Sequence, residues 1–162
     1  MIHNDYIVLT REYLRRYKQL LKMRETWLAE IKELDAELAT VHIASSKYGT
    51  EPPTGEPELN ATEASADKRL RISEQKQRRL KDCQEIERLT SKIQAGLDAM
   101  PEDVSSILTS HYIDRVQWDT IAYNRGYSYQ GIRKRGSRGI KHLAEYLFGL
   151  KAMPAGEIFL FV

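Results

Sequence analysis

The sequence predicts an all-α protein: a long N-terminal helical hairpin or coiled coil over residues 1–100, a small helical domain at 101–150, and an apolar tail at 151–162. Three observations predict it. Apolar residues recur in steps of three and four along two long stretches, the period of one helix face. Neither glycine nor proline occurs before Gly49, so nothing breaks the first stretch. A cluster of prolines and glycines then separates it from the second.

The first helix is expected from Asp5 to about His42. Tyr13, Tyr17, Leu20, Trp27, Ile31, Leu34, Leu38 and Val41 form its seam, interrupted only where the spacing passes over Arg24. Arg15, Lys18, Lys22, Glu30, Lys32, Glu33 and Glu37 flank that seam, as on a helix wet on its outer side. Ser45 to Ser65 then carries Gly49, Pro52, Pro53, Gly55 and Pro57 among Ser, Thr and Glu, and reads as a mobile linker. Such composition buries too little apolar surface to offset the entropy of ordering.

A second helix is expected from about Ala66 to Met100. Its latter half has a seam of Leu80, Cys83, Ile86, Leu89, Ile93, Leu97 and Met100, whereas its first half is polar and reads as weakly packed. The spacing leaves open whether the two helices fold back on each other or pair between chains. Pro101 suits the first turn of a third helix, with Glu102 and Asp103 beside its positive end and Val104, Ile107, Leu108, His111 and Tyr112 on its apolar face. That helix ends near Asp114. Gly149 and Pro154 stop the last helix, and the apolar tail ending in Ile158 to Val162 is expected to dock on its own domain or a partner.

Between these lies Trp118 to Leu143, WDTIAYNRGYSYQGIRKRGSRGIKHL. Trp118, Ile121 and Ala122 give a short helix one apolar face, with Asp119 near its N-terminus. Gly126 can take the left-handed conformation of a tight turn, Ser128 can cap the next helix, and that helix begins at Tyr129. Tyr127 is expected in the core. Between Thr120 and Ala144 there are six basic residues and no acid; against +2 for the whole chain, everything else sums to −4. A solvated helix face usually mixes signs, so a one-sign run is the footprint expected for phosphate. Gly131, Gly136 and Gly139 each cost about 0.8–1 kcal/mol relative to Ala inside a helix, so this helix is marginal by propensity alone.

The stretch has the pattern of a DNA-binding helix-turn-helix: a small residue, Ala122, facing the partner helix, a turn glycine, Gly126, four residues later, and apolar positions at Ile121, Tyr127 and Ile132. Arg125 and Arg135 depart from it, standing where apolar residues are usual. Ser128-Tyr129-Gln130-Gly131-Ile132-Arg133-Lys134, followed by Arg138, Ile140, Lys141 and Leu143, resembles the recognition helix of region four of bacterial sigma factors. The resemblance covers Pro101 to Leu147, under a third of the chain. It implies that Tyr129, Gln130, Arg133 and Lys134 face the major groove and that Ser128, besides capping, approaches a phosphate. The chemistry is consistent: Gln pairs with adenine, Arg or Lys with guanine, and Arg138 and Lys141 farther along suit phosphate. A long coiled coil before such a reader, without the upstream sigma regions, is similar in layout to small phage-encoded late transcription regulators. That likeness implies a regulator of a phage or prophage operon.

Other classes find less support. His3, His42, His111 and His142 fall in separate segments without metal-ligand spacing, and no phosphate-binding glycine loop or activated nucleophile is present, so neither enzyme activity nor a cofactor or metal is expected. Cys83 as the sole cysteine excludes an intramolecular disulfide framework. A chain of 30% charged residues with no apolar run near the roughly 18 residues of a membrane span reads as soluble and cytoplasmic. The expected partners are double-stranded DNA, RNA polymerase, and a second copy of the chain through the coiled coil. Two further hypotheses stand beside the regulator: a DNA-packaging recognition subunit, and a polymerase-binding interaction protein that does not read DNA.

Overall fold

The computed structural model describes residues 3–47 and 57–154. Among them every element is a helix or a turn, so the protein is all-α: α1 (His3–Lys47), α2 (Pro57–Asp98), α3 (Glu102–Leu108), α4 (Trp118–Arg125) and α5 (Tyr129–Phe148). A π-helical turn, Thr109–Ile113, follows α3, and a 3-10 turn, Gly149–Ala152, follows α5. No helix among the described residues is long and apolar enough to cross a membrane.

Both long helices run farther than expected. Ser45 to Lys47 belong to α1 and Pro57 to Ser65 to α2, where a linker was expected. The reason is local: Pro57 occupies the first position of α2, where a missing N–H costs nothing, and Glu58, Leu59, Ala61, Glu63 and Ala64 behind it are helix formers. The remainder of that expected linker, 48–56, lies outside the described residues, as do residues 155–162 of the expected apolar tail.

The described chain forms two compact units, Met1–Leu21 with Arg88–Val162, and Lys22–Glu87. In the second, Ile31 and Val41 of α1 and Ile72, Cys83 and Ile86 of α2 are buried, largely along the expected seams. Ion pairs Arg24–Glu87, Arg79–Glu30, Lys76–Asp35 and Lys68–Glu37 link the helices with numbers falling on one as they rise on the other. Each such exposed pair adds about 0–1 kcal/mol, so the apolar seam supplies stability and the charges set register. Arg79 also lies 5.1 Å over the Trp27 ring. The polar first half of α2 is helix and sparsely packed, with Leu70 exposed and Ile72 buried. Cys83 fills the seam as expected, and burial pushes its thiol pKa up.

The first unit joins segments that the sequence reading assigned to separate domains. Ile7 and Leu14 of α1, Ile93 and Leu97 of α2, Leu108 and Tyr112, and Ile140, Leu143, Ala144 and Leu147 of α5 form one buried cluster with Ala152. A division at residue 100 therefore does not describe the packing. The physical reason is size: about fifty residues bury too small a fraction of their surface to make a robust core alone. The ends of α1 and α2 supply the missing apolar area.

On α1 the buried face in this unit is Ile7, Thr10 and Leu14, one position off the expected Tyr13 and Tyr17, which pack half-buried beside it. Thr10 is buried without penalty because its hydroxyl donates to the Tyr6 carbonyl at 2.7 Å. Tyr6 and Tyr13 meet Phe148 with ring centroids 5.0 and 6.3 Å apart. Lys92 donates to the Leu147 carbonyl near the end of α5, and Lys18 pairs with Asp114 at 2.7 Å. Gly149, at φ 62, ends α5 where the sequence places a stop.

Candidate nucleic-acid interface

The site is built from the turn outward. α4 ends in Gly126, at φ 68 and ψ 27, and the Tyr127 N–H reaches back to the Ala122 carbonyl at 3.0 Å, satisfying a carbonyl that the helix end leaves open. Two residues on, the Ser128 Oγ accepts the Gly131 N–H at 3.1 Å and starts α5 at Tyr129. A Cβ at Gly126 would meet no atom within 4 Å, so the requirement there is backbone conformation alone. Gly126→Ala is expected to lose about 1–2 kcal/mol, and Gly126→Asn less, in urea unfolding. Equal stability of all three proteins would show that the turn does not need the left-handed residue.

Behind the turn, Ile107, Ile121, Ala122 and Ile132 form a second buried cluster with Trp118 and Val116 against it. The glycines of α5 find a use here. A Cβ on Gly136 would lie 2.4 Å from the Trp118 ring, and one on Gly139 2.6 Å from Val104, so both positions let α5 approach its neighbours closely. Trp118 in turn stacks on His111, centroids 3.7 Å apart. Burial lowers the His111 pKa, and its Nδ1 lies 2.8 Å from the Val116 carbonyl oxygen.

Arg125 and Arg135, the two departures from the apolar pattern, have a common partner. Asp103 of α3 accepts from Arg135 through its carboxylate at 2.7 Å and from Arg125 through its backbone carbonyl at 3.5 Å. Arg135 also lies 4.6 Å over the Tyr127 ring. Tyr127 is consequently not a core residue: it remains 41% exposed, with its ring against the Arg135 guanidinium instead of among the buried side chains.

Ser128, Tyr129, Gln130, Arg133, Lys134, Arg138 and Lys141 are all exposed, at the start of α5 and along it. Gln130, Arg133, Lys134, Arg138 and Lys141 recur at three- and four-residue spacing, which places them on one side of the helix. Arg133 lies 5.7 Å over the Tyr129 ring, fixing that tyrosine beside it. No ion pair occupies Arg133, Lys134, Arg138 or Lys141 among the described residues, while Glu145, the sole acid of α5, lies 3.8 Å from His142. The result is an open cationic strip backed by a packed core.

The chain matches no family model, no curated protein and no solved structure.

Two parts of the arrangement escaped sequence reasoning. Asp103 was read only as a charge favourable to its own helix, although it also restrains two arginines from elements 22 and 32 residues away. Arg15 was read only as part of the charged flank of α1 and Arg11 was given no role, yet both line one concavity with Arg133 and Ser137 of α5. No local signal identifies either, since both depend on which helices pack side by side.

Proposed function

We propose that the protein is a sequence-specific DNA-binding transcriptional regulator, of a phage or prophage operon, that lays α5 in the major groove as the second helix of a sigma-region-four-like helix-turn-helix. The observation that carries this reading is the unpaired cationic strip of α5, exposed beyond a left-handed glycine turn and a serine cap. Tyr129, Gln130, Arg133 and Lys134, in the first turns of the helix, are the base-reading set; Arg138 and Lys141 contact phosphate, with Ser128 beside the backbone. Supported from behind by Ile132, Ile140 and Leu143, each fully buried, the helix is held by tertiary contacts despite its glycines.

The antiparallel ion pairs between α1 and α2 favour a hairpin formed within one chain. Contacts with RNA polymerase or with a second copy then fall to the outer faces of these helices. A second reading, an interaction protein that grips polymerase without reading DNA, is favoured by one feature, an open groove of about 760 Å³ with an apolar floor at Met100, Val104 and Gly139 and with Lys134 and Arg138 on its rim. Genome-wide mapping of bound sites separates the two. The regulator reading expects discrete sites upstream of a transcribed operon, bound by purified protein alone; occupancy that needs polymerase, with no binding to naked duplex, supports the alternative.

A further inference from the structure

Resting on the DNA-binding reading, we infer that α1 carries part of the interface: Arg11 and Arg15 of α1 with Ser137 of α5, beside the base-reading Arg133, form a pocket for one backbone phosphate of the duplex. The four residues line a concavity of about 240 Å³, with Tyr112 and Trp118 also in its wall. Three arginine side chains therefore line one small space.

The charges around that space are incompletely balanced. Glu12 pairs with Arg15 at 2.8 Å and with Arg16 at 3.7 Å, so one carboxylate is divided between two cations and does not line the concavity. Arg11 has no ion-pair partner among the described residues, and its Nε is buried with no hydrogen-bond acceptor. Arg15 is braced at 5.9 Å against the Tyr112 ring, which holds its position without neutralising it. Like charges that line one space disfavour each other, and a tetrahedral oxyanion there offsets this by accepting from more than one arginine.

Position selects the duplex backbone as the source. Ser137 stands one turn beyond the base-reading Arg133 on α5, and the two line the concavity with α1 on that flank of the helix. Lys134 and Arg138 line the groove on another flank. A helix seated in the major groove has a phosphate strand along each side, so cations on both flanks are the complement it requires. Arg11 and Arg15 thereby extend the footprint beyond the helix-turn-helix segment.

The test uses the full chain, a random-sequence duplex and a duplex selected from a random pool, with affinities measured from 50 to 200 mM salt. Arg11→Gln is expected to weaken both duplexes by a like factor, about tenfold, and to lower the slope of log affinity against log salt by about 0.9, the release expected for one phosphate contact. Arg11→Lys is expected to keep the wild-type slope. Arg15→Gln, at a more exposed position, supplies the same measurement should Arg11→Gln fold poorly. An unchanged slope in both glutamine variants, with wild-type discrimination between the duplexes retained, overturns the α1 pocket and leaves the DNA-binding reading standing. If the wild-type protein binds neither duplex, both fall together.

Discussion

Leu14→Ala is expected to destabilise the unit containing α3, α4 and α5 by about 2–5 kcal/mol, although Leu14 lies more than eighty residues before them. Leu14 is fully buried in the cluster that includes Ile93, Leu97, Leu143 and Leu147, so truncation leaves a cavity with walls from three helices. For a unit of about a hundred residues, such a loss corresponds to a fall of roughly 10 °C or more in melting temperature. Trp118 lies in this unit and Trp27 in the other, so fluorescence in a Trp27→Phe background reports on the relevant transition. Leu21→Ala is the control on the same helix: Leu21 is 37% exposed and its loss is expected to cost about 0.5 kcal/mol or less. Equal melting of the Leu14→Ala and wild-type proteins by Trp118 fluorescence would mean that α1 contributes nothing to that core.

The second large effect concerns DNA. Arg133→Ala is expected to cost about 1–3 kcal/mol at one base-pair position, between roughly fivefold and 150-fold, and to relax preference there while leaving other positions alone. Lys141→Ala, two turns along α5, is expected to weaken all duplexes alike and to reduce the salt slope by about 0.9. Competition with a duplex series substituted one position at a time distinguishes these patterns. Since Arg133 also lines the concavity with Arg11 and Arg15, a uniform loss on Arg133→Ala would reassign it from base to phosphate. Should neither substitution alter binding to any duplex, α5 is not a reader and the interaction-protein reading takes precedence.

These expectations differ in how far they were legible without coordinates. The turn at Gly126, the cap at Ser128, the start of α5 at Tyr129 and its stop at Gly149 all follow from short-range chemistry, and each is present in the structure. The seam of α2 from Cys83 to Leu97 follows from helical period, and Cys83, Ile86, Ile93 and Leu97 are buried with Leu89 half-buried. Pro57 shows the limit of reading composition: counted with its neighbours it signals a break, but at the first position of a helix the same residue begins one.

Local propensity and period by themselves determined an all-helical chain, the places where its last helices begin and end, and the one-sign charge of α5, because each depends on residues within a turn or two. Tertiary structure alone decided that Ile7 and Leu14 complete the core beneath α5, that Asp103 restrains Arg125 and Arg135, and that Arg11 and Arg15 stand beside Arg133. Periodicity says which face of a helix is apolar but not which other face will cover it. That choice belongs to the whole chain, which lowers its free energy by removing the most apolar area from water at once.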